Sequence, residues 1–457
     1  MHFAAALGLV NGLLPYRDFL LLHPPGVVLA LAPFAALSWL MGEPDAMAAA
    51  RVSWMLLGGV NAILCGLVLR PLSRAAGLLA SLFYALSIGA VYVEHTALLE
   101  APGTTALLLG LVVTRLLGSG EGIGARHYAV AGVLLGLSPV LKIWGVVAVL
   151  VVVVAIWARR GRRQALVTLG SSVASCATVC LPFFLAAPQE MWRMVVVAQV
   201  GRRRANERAS DRLSDVLGVR EWGYGSGLWS VWLVIMAVAV LGATVICLII
   251  SDLRVVAALM ITHGLLVMTT PMWFLHYAGL TAAPMALTLG GALAVLLGWS
   301  RSVRWLAPTL IGLAVVGVLA LAYPMRDVQL GKRHFPGAHF AAASAAWDGC
   351  TTTDWPMTLI QMDLLQSDID RGCRFVVDLG GYSYYHVDSP YHQEARRQNE
   401  DWQALALDYY RSGSAVIAVR FSTETGFSRA TARTLAKWPV VVEKDGFAVR
   451  RPQPGGG

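Results

Sequence analysis

The sequence predicts an all-α polytopic membrane protein that ends in a small α/β domain. Three observations support this fold class. The 457 residues are 57% hydrophobic and only 14% charged, whereas about a quarter of a typical soluble domain is charged. Many apolar runs approach the roughly 17–25 residues that cross a bilayer. After residue 335, these runs give way to polar segments with short helix and strand patterns.

The net charge is +9, and nearly all of the basic residues are arginine. They are scattered along the loops between apolar segments, which argues against a nucleic-acid partner. Arginine forks do match the geometry of phosphate oxygens. A phosphate-bearing membrane ligand is therefore compatible with the composition.

Hydropathy predicts about ten transmembrane helices. A further apolar segment, 26–41, is short and is interrupted by Pro33. The ten predicted spans are 53–69, 75–93, 101–117, 128–140, 143–157, 165–187, 229–251, 255–270, 278–299 and 305–323.

The arginines of the short loops predict the orientation. One alternate set of loops holds eleven arginines, whereas "VEHTALLE" and "TPMWFLHY" in the opposite set hold none. Loops rich in Lys and Arg stay in the cytoplasm. We therefore expect a multi-pass plasma-membrane protein with a first extracytoplasmic loop at 1–52, a bundle at 53–323, and an extracytoplasmic α/β domain with a disordered tail at 324–457. The segment 26–41 must then lie along the membrane or dip into it.

One predicted outer loop, 188–228, carries the arginine run Arg202, Arg203 and Arg204. Longer loops translocate despite their charge, because the arginine bias acts mainly through short loops. Alternatively, the run binds an anionic lipid head group at the outer surface. The sequence leaves both interpretations open.

In the C-terminal region, "HFAAASAAW", "TLIQMDLLQSDIDRG", "NEDWQALALDYYRSG" and "SRATARTLAKW" predict helices. "CRFVVDLGG" and "SAVIAVRF" predict strands, and "VVVEKDGFAVRR" predicts a hairpin. The spacing of Cys350 and Cys373 is compatible with a disulfide if this region is extracytoplasmic. Pairing does not follow from sequence alone.

The first loop concentrates polar residues in "PYRDFLLLHPPG", which contains Arg17, Asp18 and His23. A carboxylate beside backbone-fixing prolines is a candidate general base. Partial burial against the segment 26–41 is expected to raise its basicity. The alternative is a solvated aspartate paired with its neighbour Arg17.

Other candidate residues lie at predicted outer ends of helices. Glu94, His95 and Glu100 fall in "YVEHTALLEAPG" and are either functional, as ionisable groups near membrane depth tend to be, or helix-end groups in water. For Glu94 or Glu100 taken singly, the second interpretation is favoured. Lys142, in "SPVLKIWG", either snorkels to the surface or holds a phosphate. His276 lies in "MWFLHYAGLTAAP", where an interfacial aromatic belt also explains the neighbouring rings. Because Lys142 is expected at the outer surface, we expect its replacement to leave thermal stability almost unchanged.

Together, "NGLLPYRDFLLLHPPG", "GLSPVLKIWG" and "FLHYAGLTAAP" resemble motifs of the GT-C membrane glycosyltransferases. The nearest group in this resemblance is the actinobacterial, protein-mannosyltransferase-like enzymes (glycosyltransferase family 39-like). It covers roughly residues 2–323. Members of this family have a transmembrane helix before the first loop, and this sequence departs from that pattern by beginning inside the loop.

The resemblance implies transfer of a sugar, mannose or arabinose, from a polyprenyl-phosphate donor to a cell-envelope glycan, lipid or protein, with inversion. It implies that Asp18 is the catalytic base. Donor-phosphate or substrate binding would fall to the remaining candidates, which are Arg17, His23, Glu94, His95, Glu100, Lys142, Arg202, Arg203, Arg204 and His276. No cofactor is expected, and a metal bridging Asp18 and Glu100 is the less favoured alternative.

Two other functional classes stay open at this stage. A transporter or flippase of a lipid-linked glycan predicts charged residues at the membrane midplane and inverted repeats, which the sequence does not show. A non-catalytic scaffold that presents the outer domain would not need Asp18 or Lys142.

Overall fold

The structure is a computed structural model that describes residues 1–117, 124–202, 204, 207–220, 226–300, 305–322, 335–344, 347, 349–385 and 395–453. The chain divides into two compact units. The first consists of Met1–Ala50, Cys180–Arg203 and Gly331–Gly457, and the second of Arg51–Val179 and Arg204–Leu330.

Helices dominate the chain before the C-terminal region. They are α1 (His2–Val10), α2 (Gly26–Ala36), α3 (Ser38–Met41), α4 (Glu43–Leu69), α5 (Arg74–Ala85), α6 (Ile88–His95), α7 (Glu100–Thr114), α8 (Ala125–Leu141), α9 (Gly145–Arg160), α10 (Arg162–Ala186), α11 (Pro188–Trp192), α12 (Ala198–Val200), α13 (Ala209–Val216), α14 (Gly227–Ile249), α15 (Arg254–Thr269), α16 (Ala278–Trp299) and α17 (Leu306–Ala322).

Five helices in the described part of the chain are long and apolar enough to cross a membrane, or six when α5 and α6 are counted as one broken span. These helices make the chain a multi-pass membrane protein. Each of the ten predicted apolar segments overlaps a helix or a helix pair, while their number as membrane spans stays a prediction. Two of the segments differ clearly in extent or shape. The first extends back to Glu43, and the second bends by 55° between α5 and α6. At this bend, Ser87 is extended, with ψ of 122°, and interrupts the helix.

Close backbone contacts hold the second unit together. On α8, a side chain at Gly132 or Gly136 would collide with the backbone of α10 at Thr168 or Ser172. Glycine is therefore required at both positions. The Ser172 hydroxyl donates a hydrogen bond of 2.9 Å to the Gly132 carbonyl across the same contact. Small residues and interhelical hydrogen bonds of this kind drive helix association in membranes.

The C-terminal region contains a four-stranded mixed sheet in the order β1-β2-β4-β3. Strands β1 and β2 pair in parallel, and the other neighbours pair antiparallel. Its elements are α18 (Gly337–Ser344), β1 (Thr351–Thr353), α19 (Met357–Gln361), α20 (Leu365–Asp370), α21 (Tyr382–Tyr385), α22 (Glu400–Arg411), β2 (Ala415–Ile417), α23 (Arg429–Lys437), β3 (Val440–Lys444) and β4 (Phe447–Arg450). A helical chain with a small terminal sheet confirms the predicted fold class. Residues 454–457 of the tail, predicted to be disordered, lie outside the described residues.

One strand prediction in this region is wrong. Residues 373–381 form no strand, and the parallel partner of β2 is Thr351–Thr353 instead. The apolar side chains of Val376 and Leu379 pack into the core around Trp402. The Leu379 carbonyl accepts a 2.8 Å hydrogen bond from the Trp402 indole, so this group is satisfied without a strand partner.

Candidate active site

The first-loop aspartate lies in a tight turn between α1 and α2. The Asp18 carboxylate accepts hydrogen bonds from the Leu14 N–H at 2.7 Å and from the Arg17 guanidinium at 3.0 and 2.8 Å. Tyr16 has φ of 71°, and its N–H donates to the Phe19 carbonyl. The left-handed residue reverses the chain, and this reversal leaves the carboxylate at the surface of the turn.

The Asp18 side chain is 27% exposed. Its hydrogen bond to Arg17 lowers the pKa of the carboxyl below its usual value. The prediction that burial raises the basicity of Asp18 is therefore wrong, because the charge-assisted hydrogen bond from Arg17 lowers the pKa by more than desolvation raises it. The Arg17–Asp18 pair that the sequence left as an alternative is present. Asp18 is accordingly ionised, and so able to accept a proton, at neutral pH.

Two other predicted residues of the first unit, His23 and Arg202, each contact a ring side chain. The His23 carbonyl accepts a 2.7 Å hydrogen bond from the Tyr16 hydroxyl, while its ring meets His2 edge-on at 5.2 Å. The Arg202 guanidinium lies 5.1 Å from the ring centre of Tyr384, within cation–π range. Arg203 lies outside the described residues. Arg204, which falls in the second unit, is exposed.

A buried ion pair marks the second unit. Lys142 Nζ lies 2.5 Å from Glu100 Oε1, and the two side chains are 6% and 0% exposed. Lys142 caps the C-terminus of α8, and Glu100 begins α7. The snorkelling interpretation of Lys142 is wrong, because the carboxylate of Glu100 compensates the ammonium inside the protein.

Aromatic rings complete the surroundings of this lysine. Lys142 Nζ lies 4.6 Å from the ring centre of Trp144 and 4.2 Å from that of Tyr277. Both distances allow cation–π attraction. His276 Nε2 lies 3.7 Å from Glu100 Oε1, which is close enough for an ion pair when the imidazole is protonated. Three predicted residues, Glu100, Lys142 and His276, therefore form one cluster, which we call the lysine cluster.

A small cavity adjoins the lysine cluster. Its lining includes Glu100, Lys142, Ser138 and His263, and its volume of about 20 Å³ is that of a single water molecule. Glu100 Oε2 is buried and has no hydrogen-bond partner among the described residues. The lysine cluster thus combines a buried cation, an incompletely bonded carboxylate and space for a polar atom. Of these three features only the Lys142 ammonium attracts an anionic oxygen, and such a ligand would have to share it with the Glu100 carboxylate, which repels anions.

Residues that the sequence analysis missed fix the turn that carries His276 and Tyr277. Asp215, on α13, accepts hydrogen bonds of 2.8 Å from the Trp273 indole and from Arg220. Burial raises the pKa of Asp215, although both hydrogen bonds oppose the shift. Trp273 in turn meets the Tyr277 ring edge-on at 5.9 Å. The sequence carries little signal for this arrangement, because Asp215 is one of five acidic residues in the arginine-rich loop 188–228.

A second arginine of the same loop also has a structural contact. Arg212 is buried and donates to the Thr270 carbonyl at 2.6 Å and to the Met268 carbonyl at 3.2 Å. These bonds satisfy carbonyl groups at the end of α15. Part of the basic charge of the 188–228 loop therefore stabilises the protein rather than facing solvent.

Among the described residues, neither Glu94 nor His95 forms a hydrogen bond or an ion pair with the lysine cluster. Glu94 is buried and accepts a 3.0 Å hydrogen bond from the Tyr84 hydroxyl, which itself accepts from Asn61 at 3.2 Å. The His95 ring bonds to its own helix at the Val91 carbonyl. Within the described residues, no three His, Cys, Asp or Glu side chains form a group that could hold a metal ion.

The two cysteines of the C-terminal region, Cys350 and Cys373, are joined as a disulfide in the structure. The bond links the residue before β1 to the irregular segment 373–381. It therefore fixes this segment to the sheet.

No protein-family model and no curated protein matches the sequence. Solved structures do match its fold. ArnT from Cupriavidus metallidurans in the apo state has a TM-score of 0.56 at 13% identity, over 99% of this chain and 94% of that chain. The same protein bound to undecaprenyl phosphate gives 0.55 at 14% identity.

A third match is the archaeal oligosaccharyltransferase AglB from Archaeoglobus fulgidus, in complex with an inhibitory peptide and a dolichol-phosphate. Its TM-score is 0.52 at 10% identity, over 91% of this chain and 64% of that chain. ArnT and AglB are GT-C glycosyltransferases. At these identities the similarity shows the fold alone. The chain therefore has the GT-C fold, in agreement with the resemblance of its sequence motifs.

Proposed function

We propose that this protein is an integral membrane glycosyltransferase that moves a sugar from a polyprenyl-phosphate donor to an acceptor hydroxyl. The observation that carries the proposal is the buried Lys142 ammonium of the lysine cluster, in a protein with the GT-C fold. Keeping a cation inside an apolar bundle is costly, and such residues are typically functional. The ArnT and AglB structures that contain undecaprenyl phosphate and dolichol-phosphate support the donor class.

In the proposed reaction, the acceptor oxygen attacks the anomeric carbon while Asp18 takes its proton. A bond forms between the acceptor oxygen and the sugar, and the bond between the sugar and the lipid phosphate breaks, with inversion at the carbon. Lys142 stabilises the charge that develops on the leaving phosphate. His276, when protonated, also stabilises this negative charge. Arg202, Arg203 and Arg204 provide further positive charge. Mannose or arabinose, and a cell-envelope acceptor, are the substrates we propose.

The direct test uses membranes that contain the full chain. Radiolabelled polyprenyl-phosphate mannose and polyprenyl-phosphate arabinose are each incubated with cell-envelope acceptors, and labelled product is counted against membranes without the protein. Label should pass from one donor to an acceptor. Absence of transfer from every polyprenyl-phosphate sugar tried, by a protein shown to be folded, would contradict the proposal.

Arg17 should set the pH range of this reaction. Its guanidinium lowers the pKa of Asp18, so the base stays ionised, and active, to a lower pH than an isolated aspartate. Arg17→Gln removes that contact and should raise the pKa. The acid limb of the kcat/KM profile should therefore move to higher pH. Arg433→Gln, at another exposed arginine, is the charge-matched control. If the acid limb of the kcat/KM profile does not move in Arg17→Gln, the result argues against Asp18 as the base.

We also propose that the arginine-rich short loops face the cytoplasm and that the C-terminal domain is extracytoplasmic. Single cysteines at the exposed positions Arg163 and Glu424 test this. All native cysteines except the disulfide pair Cys350 and Cys373 are replaced first. An impermeant maleimide on intact cells should label Glu424→Cys and not Arg163→Cys, and permeabilised cells should show both. Labelling of Arg163→Cys alone would reverse the orientation.

A further inference from the structure

The C-terminal domain touches the Asp18 turn through an aromatic side chain. The Phe375 ring meets the Phe19 ring edge-on, with ring centres 5.1 Å apart and planes at 89°. Phe19 directly follows Asp18. The same Phe375 ring also packs against α1, because a methyl group added at Gly8 would come within 2.7 Å of it. The absence of a side chain at Gly8 is what admits the ring.

The C-terminal domain holds Phe375 firmly. Two residues before it, Cys373 is bonded to Cys350. Immediately after it, Val376 is buried in the core around Trp402. A ring held from both sides can transmit the position of the domain to the turn that it touches.

Reciprocal helix capping provides a second contact between the C-terminal domain and the N-terminal segment. The Asp363 carboxylate accepts a 2.7 Å hydrogen bond from the Glu43 N–H at the start of α4, and the Glu43 carboxylate accepts a 2.7 Å bond from the Gln366 N–H in α20. The Gln366 side chain also reaches Ser38 at 3.0 Å and Asn11 at 3.4 Å.

Backbone strain occurs at this capping contact. Asp363 has φ of +57°, in the left-handed region that favours glycine. A strained conformation of this kind persists where the surrounding contacts hold it in place. Here the contact that holds it is the hydrogen bond by which the Asp363 side chain caps α4.

We infer that the C-terminal α/β domain acts as a clamp that positions the Asp18 turn for reaction, with Phe375 as the positioning residue. This inference rests on the proposed function and assigns the domain a part in it. The clamp acts through the contact of Phe375 with Phe19 and Gly8. Asp363 and Gln366 fix the chain segments that precede α2 and follow α3. A domain that only captured the acceptor would need none of these contacts.

A size-exchange experiment tests the clamp. Gly8→Ala places a methyl group against the Phe375 ring and should displace the turn, whereas Phe375→Leu removes the ring atoms that the methyl would meet. A misplacement of about 1 Å can cost about 10²-fold in rate. We therefore expect Gly8→Ala to lower kcat by about 10- to 100-fold with donor-lipid affinity unchanged. Phe375→Leu alone should cost less, and the double variant should regain most of the loss. Gly170→Ala, a helical glycine with open space around it, is the matched control.

Hydrogen exchange over residues 11–20 provides a readout that does not depend on transfer. Exchange should rise in Gly8→Ala and fall back in the double variant. Losses that multiply in the double variant, or a raised acceptor KM with unchanged kcat, would overturn the clamp. If Gly8→Ala does not fold, faster exchange and lower kcat in Phe375→Leu support the clamp, and unchanged exchange overturns it. If the wild-type protein has no transfer activity but the variants still show this exchange pattern, the proposed function is refuted and the contact between the domain and the turn is not.

Discussion

Asp18→Asn should lower sugar transfer by about 10²–10⁴-fold in a protein that folds normally, since this is the usual loss when a general base is removed. Asparagine keeps the size of the side chain and an oxygen that can accept from the Leu14 N–H, as Asp18 does at 2.7 Å. It cannot take up the acceptor proton at the pH of the reaction. The measurement is kcat with a labelled polyprenyl-phosphate sugar, together with the melting temperature.

The matched control for this variant is Asp408→Asn. Asp408 also forms a salt bridge with an arginine, Arg374, at 2.7 Å on the surface. It lies in α22 and has no part in the proposed reaction. Asp408→Asn should transfer sugar at the wild-type rate. Wild-type turnover by a folded Asp18→Asn protein would remove Asp18 from the mechanism, and the buried lysine cluster would then have to act with another base.

The fold was largely predictable because apolar runs are a local signal. A span such as 278–299 needs no knowledge of its neighbours, and the helix Ala278–Trp299 matches it. The prediction for 373–381 was wrong because it depended on a distant partner. Its alternating apolar residues suit a strand, but their burial around Trp402 leaves the sheet position to Thr351–Thr353.

The chemistry of the site was less accessible from the sequence. The residues Asp18, Glu100 and Lys142 were identifiable as polar positions in an apolar chain. Their pairings were not, because Glu100 and Lys142 are joined only by the packing of α7 against α8. The lowered pKa of Asp18 depends on the geometry of a neighbouring arginine, which a sequence cannot reveal. The contact of Phe375 with Phe19 likewise links opposite ends of the chain.

Lys142→Gln should destabilise the protein by about 3–5 kcal/mol, the usual cost of removing one partner of a buried ion pair. The expectation that this substitution leaves thermal stability almost unchanged assumed an exposed lysine, whereas the side chain is 6% exposed. The variant would leave the Glu100 carboxylate buried without its cation. A fall in melting temperature in detergent or nanodiscs measures this effect. Lost activity in this single variant would therefore not establish a role in catalysis.

The double variant Glu100→Gln/Lys142→Gln separates stability from chemistry. Both side chains become neutral amides of similar size, so no uncompensated charge remains, and most of the lost stability should return. If Lys142 binds the donor phosphate, transfer should nevertheless stay about 10²–10³-fold below wild type, the range for the loss of one oxyanion-stabilising donor. Donor-lipid binding and kcat are measured together in nanodiscs. A stable double variant with wild-type transfer would show that the ion pair only holds α7 and α8 together, because the phosphate contact requires the positive charge that this variant lacks.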